Sequence, residues 1–316
     1  FDTLTEALKV VKAAYPDLTM IANGNGGAYL DTFDTDLLGT ADPLGALMLG
    51  EDGESTTVVN YYESDTFKSM LEYAKIWSEE GFFMKDPLNA QDGSMAYLSN
   101  GQSFGSFVSY SDEATALSVQ EKNIGKPIYA AQITQDAWAT TSNVAGMTWC
   151  IPALSEHQVA ATQFLNLLFT DASISNLVCN GIEGVHYVVT DEGNITFAGD
   201  LNPVTTGWPS GMGTFWPNIC ITYPWAPDAA DVYDSWLASN ETCQKSPALG
   251  FAFDSSVVSD EASACSTIVD KYVIALLLNI GDTDALYQSL LNELDAAGID
   301  DIIAAKQAQL DAWAAN

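Results

Sequence analysis

Gly101-Gln102-Ser103-Phe104-Gly105 has the spacing of a nucleophile elbow, where a serine at a strand-to-helix turn attacks an acyl carbon. Asp136 and His157 or His186 follow in the chain order a triad needs. The chemistry requires a strand before the serine and a helix after it. The flanking residues read helix, turn, strand, so the motif is taken as a helix-terminating turn. Asn23-Gly24-Asn25-Gly26-Gly27 is glycine-rich but lacks both the G-x-G-x-x-G spacing and the lysine of a phosphate loop. Asp31, Asp34, Asp36 and Asp42 are oxygen donors of the kind calcium prefers, without the glycine and closing glutamate of an EF-hand. They read as a solvated acidic loop, and no metal or cofactor is expected. Trp208, Trp216, Tyr223 and Trp225 crowd a segment rich in Pro and Gly. Loop aromatics of this kind either seal a core edge or offer flat faces to a ligand.

The remaining chemistry is constrained by charge. Among 316 residues, 42 are acidic and ten are basic, for a net charge of −32; all ten basic residues are Lys. A surface so acidic repels phosphate backbones, which excludes nucleic-acid binding. Without an Arg fork it is also ill suited to phosphorylated ligands or anionic lipid. Neutral or cationic partners fit. The longest apolar run, Val273 to Leu278, is far too short to span a bilayer. The five cysteines are widely spaced with no CxxC, which removes zinc and thioredoxin-like readings and leaves core thiols.

These residues need elements to position them. Leu4, Leu8 and Val11 mark a first helix with Thr3 and Glu6 in capping-box spacing, followed by a strand over 18–21. Ser64 caps a helix with the stripe Phe67, Met70, Leu71, Ala74 and Trp77, stopped by Gly81. A short helix over 92–98, a strand over 104–108 and a helix over 111–122 come next. Strands are expected over 128–133 and 147–151. Ser155 and Gln158 then suggest a capping box for a helix to about 169, and a second helix runs over 171–180. A hairpin turns at Asp191-Glu192-Gly193, and 201–227 looks irregular. Helices fill about 228–239, 260–279, 283–297 and 300–314. Strands alternating with helices imply an α/β fold with a mixed or parallel sheet.

Several segments, in order, resemble extracellular solute-binding proteins. Tyr61-Tyr62-Glu63-Ser64 followed by Glu80-Gly81-Phe82-Phe83-Met84-Lys85-Asp86 is similar to their "y-e-s … G-y-i-n-k-D" stretch. Cys150 to His157 and then Ala160 to Asp171 resemble their "P-e-a-a-l-k-F-l-n-l-l-y-t-d" helix, with Glu156-His157 in place of Asn-Pro. Asn180-Gly181-Ile182-Glu183-Gly184-Val185-His186-Tyr187 resembles the "y-G-i-e-G-k-h-Y" turn of the LplA/LipO-like lipoprotein subgroup, which carries a C-terminal domain of unknown function. Gly250 to Asp254, Ala296 to Asp300 and Lys306-Gln307-Ala308-Gln309-Leu310 resemble that subgroup's closing signature.

The resemblance implies a periplasmic-binding-protein type II-like α/β fold: second lobe, hinge, partial first lobe and helical C-terminus. Residues 1–136 would be second-lobe, 137–190 hinge and returning first-lobe, and 191–316 hinge loops and second-lobe helices. A missing first lobe and an absent lipid anchor are expected, the full protein being anchored at the cell surface. The implied function is non-enzymatic capture of a neutral solute, a mono- or oligosaccharide, by a monomer that delivers it to ABC transporter permease subunits. The alternatives are a secreted glycosidase with paired carboxylates and a peptide-binding importer component. Ligand contacts implied by position are Tyr110 with Ser109 at a strand end, Asn25 and Tyr29 in the loop after the first strand, and Trp216, Trp225 and Phe253 near the hinge.

Overall fold

The apolar spacing of Leu4, Leu8 and Val11 produces α1 (Asp2–Ala14) in the computed structural model. Phe1 stands at its N-cap and makes no side-chain cap bond; Thr3 and Glu6 both lie inside the helix, so the expected capping box does not form. The structure describes residues 1–23, 29, 32–50, 53–108, 127–131, 133, 138–146, 148–202, 205–208 and 217–315. The expected helix over 111–122 lies outside them, as do Asp31 and Asp136.

β1 (Thr19–Ile21) follows α1. β2 (Thr35–Asp36), β3 (Ala46–Met48) and β4 (Val58–Val59) then form an antiparallel sheet in the order β2-β3-β4. This sheet has no counterpart in the sequence reading, because its strands are two or three residues long and show no alternation. α2 (Asp65–Glu79) starts where expected, with Ser64 Oγ accepting from Phe67 N at 3.1 Å. It buries Phe67, Met70, Ala74 and Trp77. α3 (Ser94–Ser99) leads into β5 (Ser103–Gly105), which pairs in parallel with β1. β6 (Trp138–Ala139) and α4 (Thr141–Val144) come next.

Two expected strands do not appear among the described residues. Among the described residues of 128–133 and 148–151 none is in a strand. Tyr129 is 100% exposed, and Ile133 and Trp149 are also exposed. An apolar run becomes a strand only where a neighbour satisfies its backbone, and no such ladder forms among the described residues here.

α5 (Gln158–Thr170) has His157 at its N-cap, and Ser155 Oγ accepts from His157 N at 3.2 Å, so Ser155 shapes the preceding turn rather than capping the helix. Asp171 caps α6 (Ala172–Asn180) by accepting from Ser173 N and Ile174 N. Those bonds, with the Ser173 hydroxyl first among them, hold its carboxyl below the usual range. β7 (Tyr187–Val189) and β8 (Ile195–Phe197) form the expected antiparallel hairpin. α7 (Val232–Thr242) and β9 (Gln244–Lys245), parallel to β6, lead to the helices α8 (Ser259–Leu277), α9 (Thr283–Ala297) and α10 (Ile299–Ala314).

The chain divides into two compact units, Phe1–Gly146 with Cys243–Asn316, and Met147–Thr242. The first holds two cores. In the larger, α8, α9 and α10 cover the β2-β3-β4 sheet and α2. In the smaller, Leu8, Met20, Ile21, Trp77 and Phe82 lock α1 to α2 and β1. α10 docks through side chains that imitate a strand edge. Gln307 accepts from Val58 N at 2.8 Å and donates to Thr56 O at 3.1 Å. Gln309 brackets Asp254 in the same way, at 3.0 Å each. The closing signature is thus a docking device.

Gly53 sits under the Trp138 ring at φ +60°, and a Cβ there would lie 1.8 Å from the indole. Gly53→Ala combines that overlap with a left-handed backbone, so a loss of roughly 2–3 kcal/mol is expected in urea denaturation. A change below 0.5 kcal/mol would contradict this packing.

Candidate functional site

In open α/β sheets ligands gather at the carboxyl ends of parallel strands. β1 and β5 are such a pair, in the register Thr19↔Ser103 and Ile21↔Gly105. Ala22 N donates to Gly105 O at 2.8 Å, so the two chains stay paired past the end of β1. Asn23 lies two residues past β1, and Phe107 two residues past β5.

Phe107 is the middle ring of a stack. Its centroid lies 4.3 Å from Tyr29 at 26° and 5.8 Å from Trp77 at 25°. Phe1 meets Tyr29, Trp77 and Phe107 edge-on, at 5.9, 5.6 and 6.4 Å. Trp77 is anchored from below, its Nε1–H donating to Thr5 Oγ1 at 2.8 Å. Tyr29 and Phe107 are half-buried, so an aromatic surface backed by the small core stands at the strand exits. Asn23, two residues past β1, is buried, and its Oδ1 has no hydrogen-bond partner among the described residues.

Of the sequence-predicted contacts, Tyr29 is therefore at the strand exits. Asn25, Ser109, Tyr110 and Trp216 lie outside the described residues. Phe253 sits in the larger core at 9% exposure, with its N–H donating to Leu38 O at 3.0 Å and Lys306 Nζ 5.5 Å above its ring. Trp225, in the second unit, packs on Phe197 at 4.5 Å and donates its indole N–H to Asn180 Oδ1 at 2.9 Å. Phe107 was missed as a site residue, because the signal for it is strand register, which the sequence does not print.

Each unit also has an open depression. One of about 650 Å³ is lined in the second unit by Asn176, Glu183, Tyr187, Thr222 and Tyr223 among others. One of about 910 Å³ lies in the first unit at the amino ends of β1 and β5, lined by Asp17, Thr19, Lys85, Tyr97 and Ser103 among others. The second is at the wrong strand ends for an α/β ligand site, and the ring stack lines neither.

The elbow-like motif does not work as one. Ser103 is buried at the start of a strand, and its hydroxyl donates to Gly105 O at 3.0 Å. His186 Nδ1 is occupied, accepting from Ile182 N at 2.8 Å. Asp36 Oδ1 accepts from Leu38 N, and Asp42 accepts the Ser266 hydroxyl. No group of three or more His, Cys, Asp or Glu is gathered for a metal among the described residues. No helix among them is long and apolar enough to cross a membrane.

Residues 247–315 match the model of a domain of unknown function, DUF3502. A curated carbohydrate ABC transporter substrate-binding protein of Streptococcus pneumoniae serotype 4 is 25% identical over the whole of this chain. The chain spans 63% of that relative's length. The crystal structure of the N-glycan transport solute binding protein NgtS from Streptococcus pneumoniae superposes with a TM-score of 0.82 at 23% identity, covering 100% of this chain and 68% of that one. The alginate-binding protein AlgQ2 superposes at 0.61 with 14% identity, covering 98% of this chain and 68% of that one. The chain has the fold of the type II periplasmic solute-binding proteins.

Proposed function

We propose, from that solute-binding fold, that this chain captures a neutral oligosaccharide outside the cell and delivers it to the permease of an ABC importer. The observation that carries the reading is the ring stack of Tyr29, Phe107 and Trp77 at the carboxyl ends of a parallel strand pair. Sugar rings present C–H faces to aromatic planes and hydroxyls to polar side chains. A chain with a net charge of −32 and no Arg favours a ligand without negative charge. NgtS has been crystallised with Man1GlcNAc and with Man5GlcNAc, which makes both natural first probes. In this reading the protein acts as a monomer held at the cell surface by a lipid anchor, performs no catalysis, and carries its second lobe in residues 1–136 and the C-terminal helices.

The test is a thermal-shift and calorimetric screen of neutral glycans, alginate oligosaccharides and short peptides. A neutral glycan is expected to raise the melting temperature; at one hundred times Kd the native state gains about 2.7 kcal/mol. Alginate oligosaccharides, being polyanionic, are expected to leave it unchanged. A peptide as the sole hit would keep the importer role and overturn the ligand. Release of new reducing ends from a bound glycan would overturn the binding role in favour of a glycosidase.

A further inference from the structure

The open depression of about 650 Å³ in the second unit has the size of a small-molecule pocket. Ile174, Leu177, Ile182 and Ile221 give it an apolar wall, in which Leu177 and Ile182 stay exposed. Tyr223 borders it at 38% exposure, with its ring 6.5 Å from that of Tyr187. Most polar side chains of the wall are already used by the fold. Asn176 Nδ2 donates to Ala172 O, and its Oδ1 accepts from Tyr223 N and Asn180 Nδ2. Thr222 Oγ1 donates to Ile219 O, and Ser173 Oγ donates to Asp171. Glu183 is the exception: its carboxylate has no hydrogen bond or ion pair among the described residues. The turn that carries it is fixed. Ile182 N donates to His186 Nδ1 at 2.8 Å, His186 N to Ile182 O at 2.9 Å, and Gly184 N to Tyr187 O at 2.7 Å. Burial first, then the Glu183 carboxylate and Tyr223, raise the Tyr187 phenol above its usual value, so Glu183 and Tyr223 are both within electrostatic reach of it.

The amino end of α6 also borders the depression and by itself favours an anion. Asp171 has taken that place, accepting from Ser173 N and Ile174 N. Residues 147–242 hold ten acidic side chains and no Lys, so no lysine of this unit can neutralise Glu183. We infer that the depression is a binding site for an organic cation, whose ammonium or guanidinium group is held by the Glu183 carboxylate and the Tyr223 ring and whose apolar body rests on Leu177 and Ile182. An aromatic face attracts a cation through its quadrupole, and a carboxylate bordering the same space adds Coulomb attraction. A neutral molecule of the same shape gains only the apolar wall, and a carboxylate in the same place is repelled. The inference uses no residue of the ring stack in the first unit and stands or falls separately from the glycan reading.

Three probes of one shape are titrated into the chain at neutral pH and low ionic strength, with binding read by ligand-observed NMR: phenethylamine as the cation, phenethyl alcohol as the neutral counterpart and phenylacetate as the anion. The amine is expected to bind about tenfold more tightly than the alcohol, and phenylacetate not at all. Glu183→Gln keeps the volume and removes the charge. It is expected to erase most of the preference for the amine and to leave the alcohol unaffected. Because the Glu183 carboxylate has no bond in the fold to lose, the melting temperature should not move. Tyr223→Leu should weaken the amine about threefold. Glu192→Gln removes an equal charge from the hairpin turn and should change nothing. Equal affinities for amine and alcohol, or no binding of either, overturn the inference. So does an equal loss in Glu183→Gln and Glu192→Gln, which would show diffuse attraction to an acidic surface in place of a site.

Discussion

Lys306→Met is expected to lower the stability of the first unit by about 1–3 kcal/mol at neutral pH, the scale for leaving buried hydrogen-bond acceptors unpaired. Lys306 is 1% exposed. Its ammonium donates to Gly45 O at 2.7 Å, Thr40 Oγ1 at 3.1 Å and Leu37 O at 3.3 Å. Those three acceptors fix the loop between β2 and β3, and the fully buried Asp36 lies close enough to be felt electrostatically. Removing the ammonium strands those acceptors.

The same residue sets a pH dependence. Burial pushes the Lys306 ammonium down to about 8 from 10.5, with Asp36 and Asp42 pulling weakly the other way. A depressed lysine means that between about pH 8 and 10.5 the unfolded chain holds a proton the native state has released. Stability from this group therefore rises with pH across that window, by something on the order of 3 kcal/mol. Below pH 8 both states are protonated and the contribution is flat. Cys179, raised to about 11 by burial, acts in the opposite sense. It is common to both proteins and cancels in the comparison. Urea denaturation from pH 7.5 to 10.5 should show a relative rise in the unaltered chain that is missing in Lys306→Met. Parallel pH profiles would contradict the buried-ammonium account.

Trp77→Ala should cost about 3–5 kcal/mol and abolish glycan binding together with it. Trp77 is 2% exposed, fills the centre of the smaller core, and forms the floor of the Phe107–Tyr29 stack. Trp77→Phe keeps most of that floor and loses the bond to Thr5 Oγ1, so a smaller cost of about 1–2 kcal/mol and retained binding are expected. Denaturation and calorimetry on both variants separate the two roles. A Trp77→Ala protein within 1 kcal/mol of the unaltered chain would show that this core does not support the site.

The sequence by itself determined most of the described helices, because apolar spacing acts within a few residues. α2 with its Ser64 cap and the three C-terminal helices lie close to where periodicity puts them, and Asp191-Glu192-Gly193 turns the hairpin as its residue types demand. Charge sets the expectation of a neutral or cationic ligand for the same reason, since it sums over the chain without regard to folding. Strands were a different matter. The runs at 128–133 and 148–151 have strand-like composition and no strand among their described residues, while Thr35–Asp36 and Val58–Val59 pair although they are too short to show alternation. A strand exists only when a distant segment completes its hydrogen bonds.

Tertiary structure also decided what the conspicuous residues do. Lys306 occupies the buried stripe of α10 with Ile299, Ile302 and Leu310, and becomes an anchor because three oxygens from residues 37–45 converge on it. Phe253 and Trp225 are taken up by packing. Phe107 reaches the candidate site because β5 pairs with β1, a segment more than 80 residues away, and its ring then stacks on Tyr29 and Trp77. Pairings over such distances are set by the whole fold, and no local pattern along the chain encodes them.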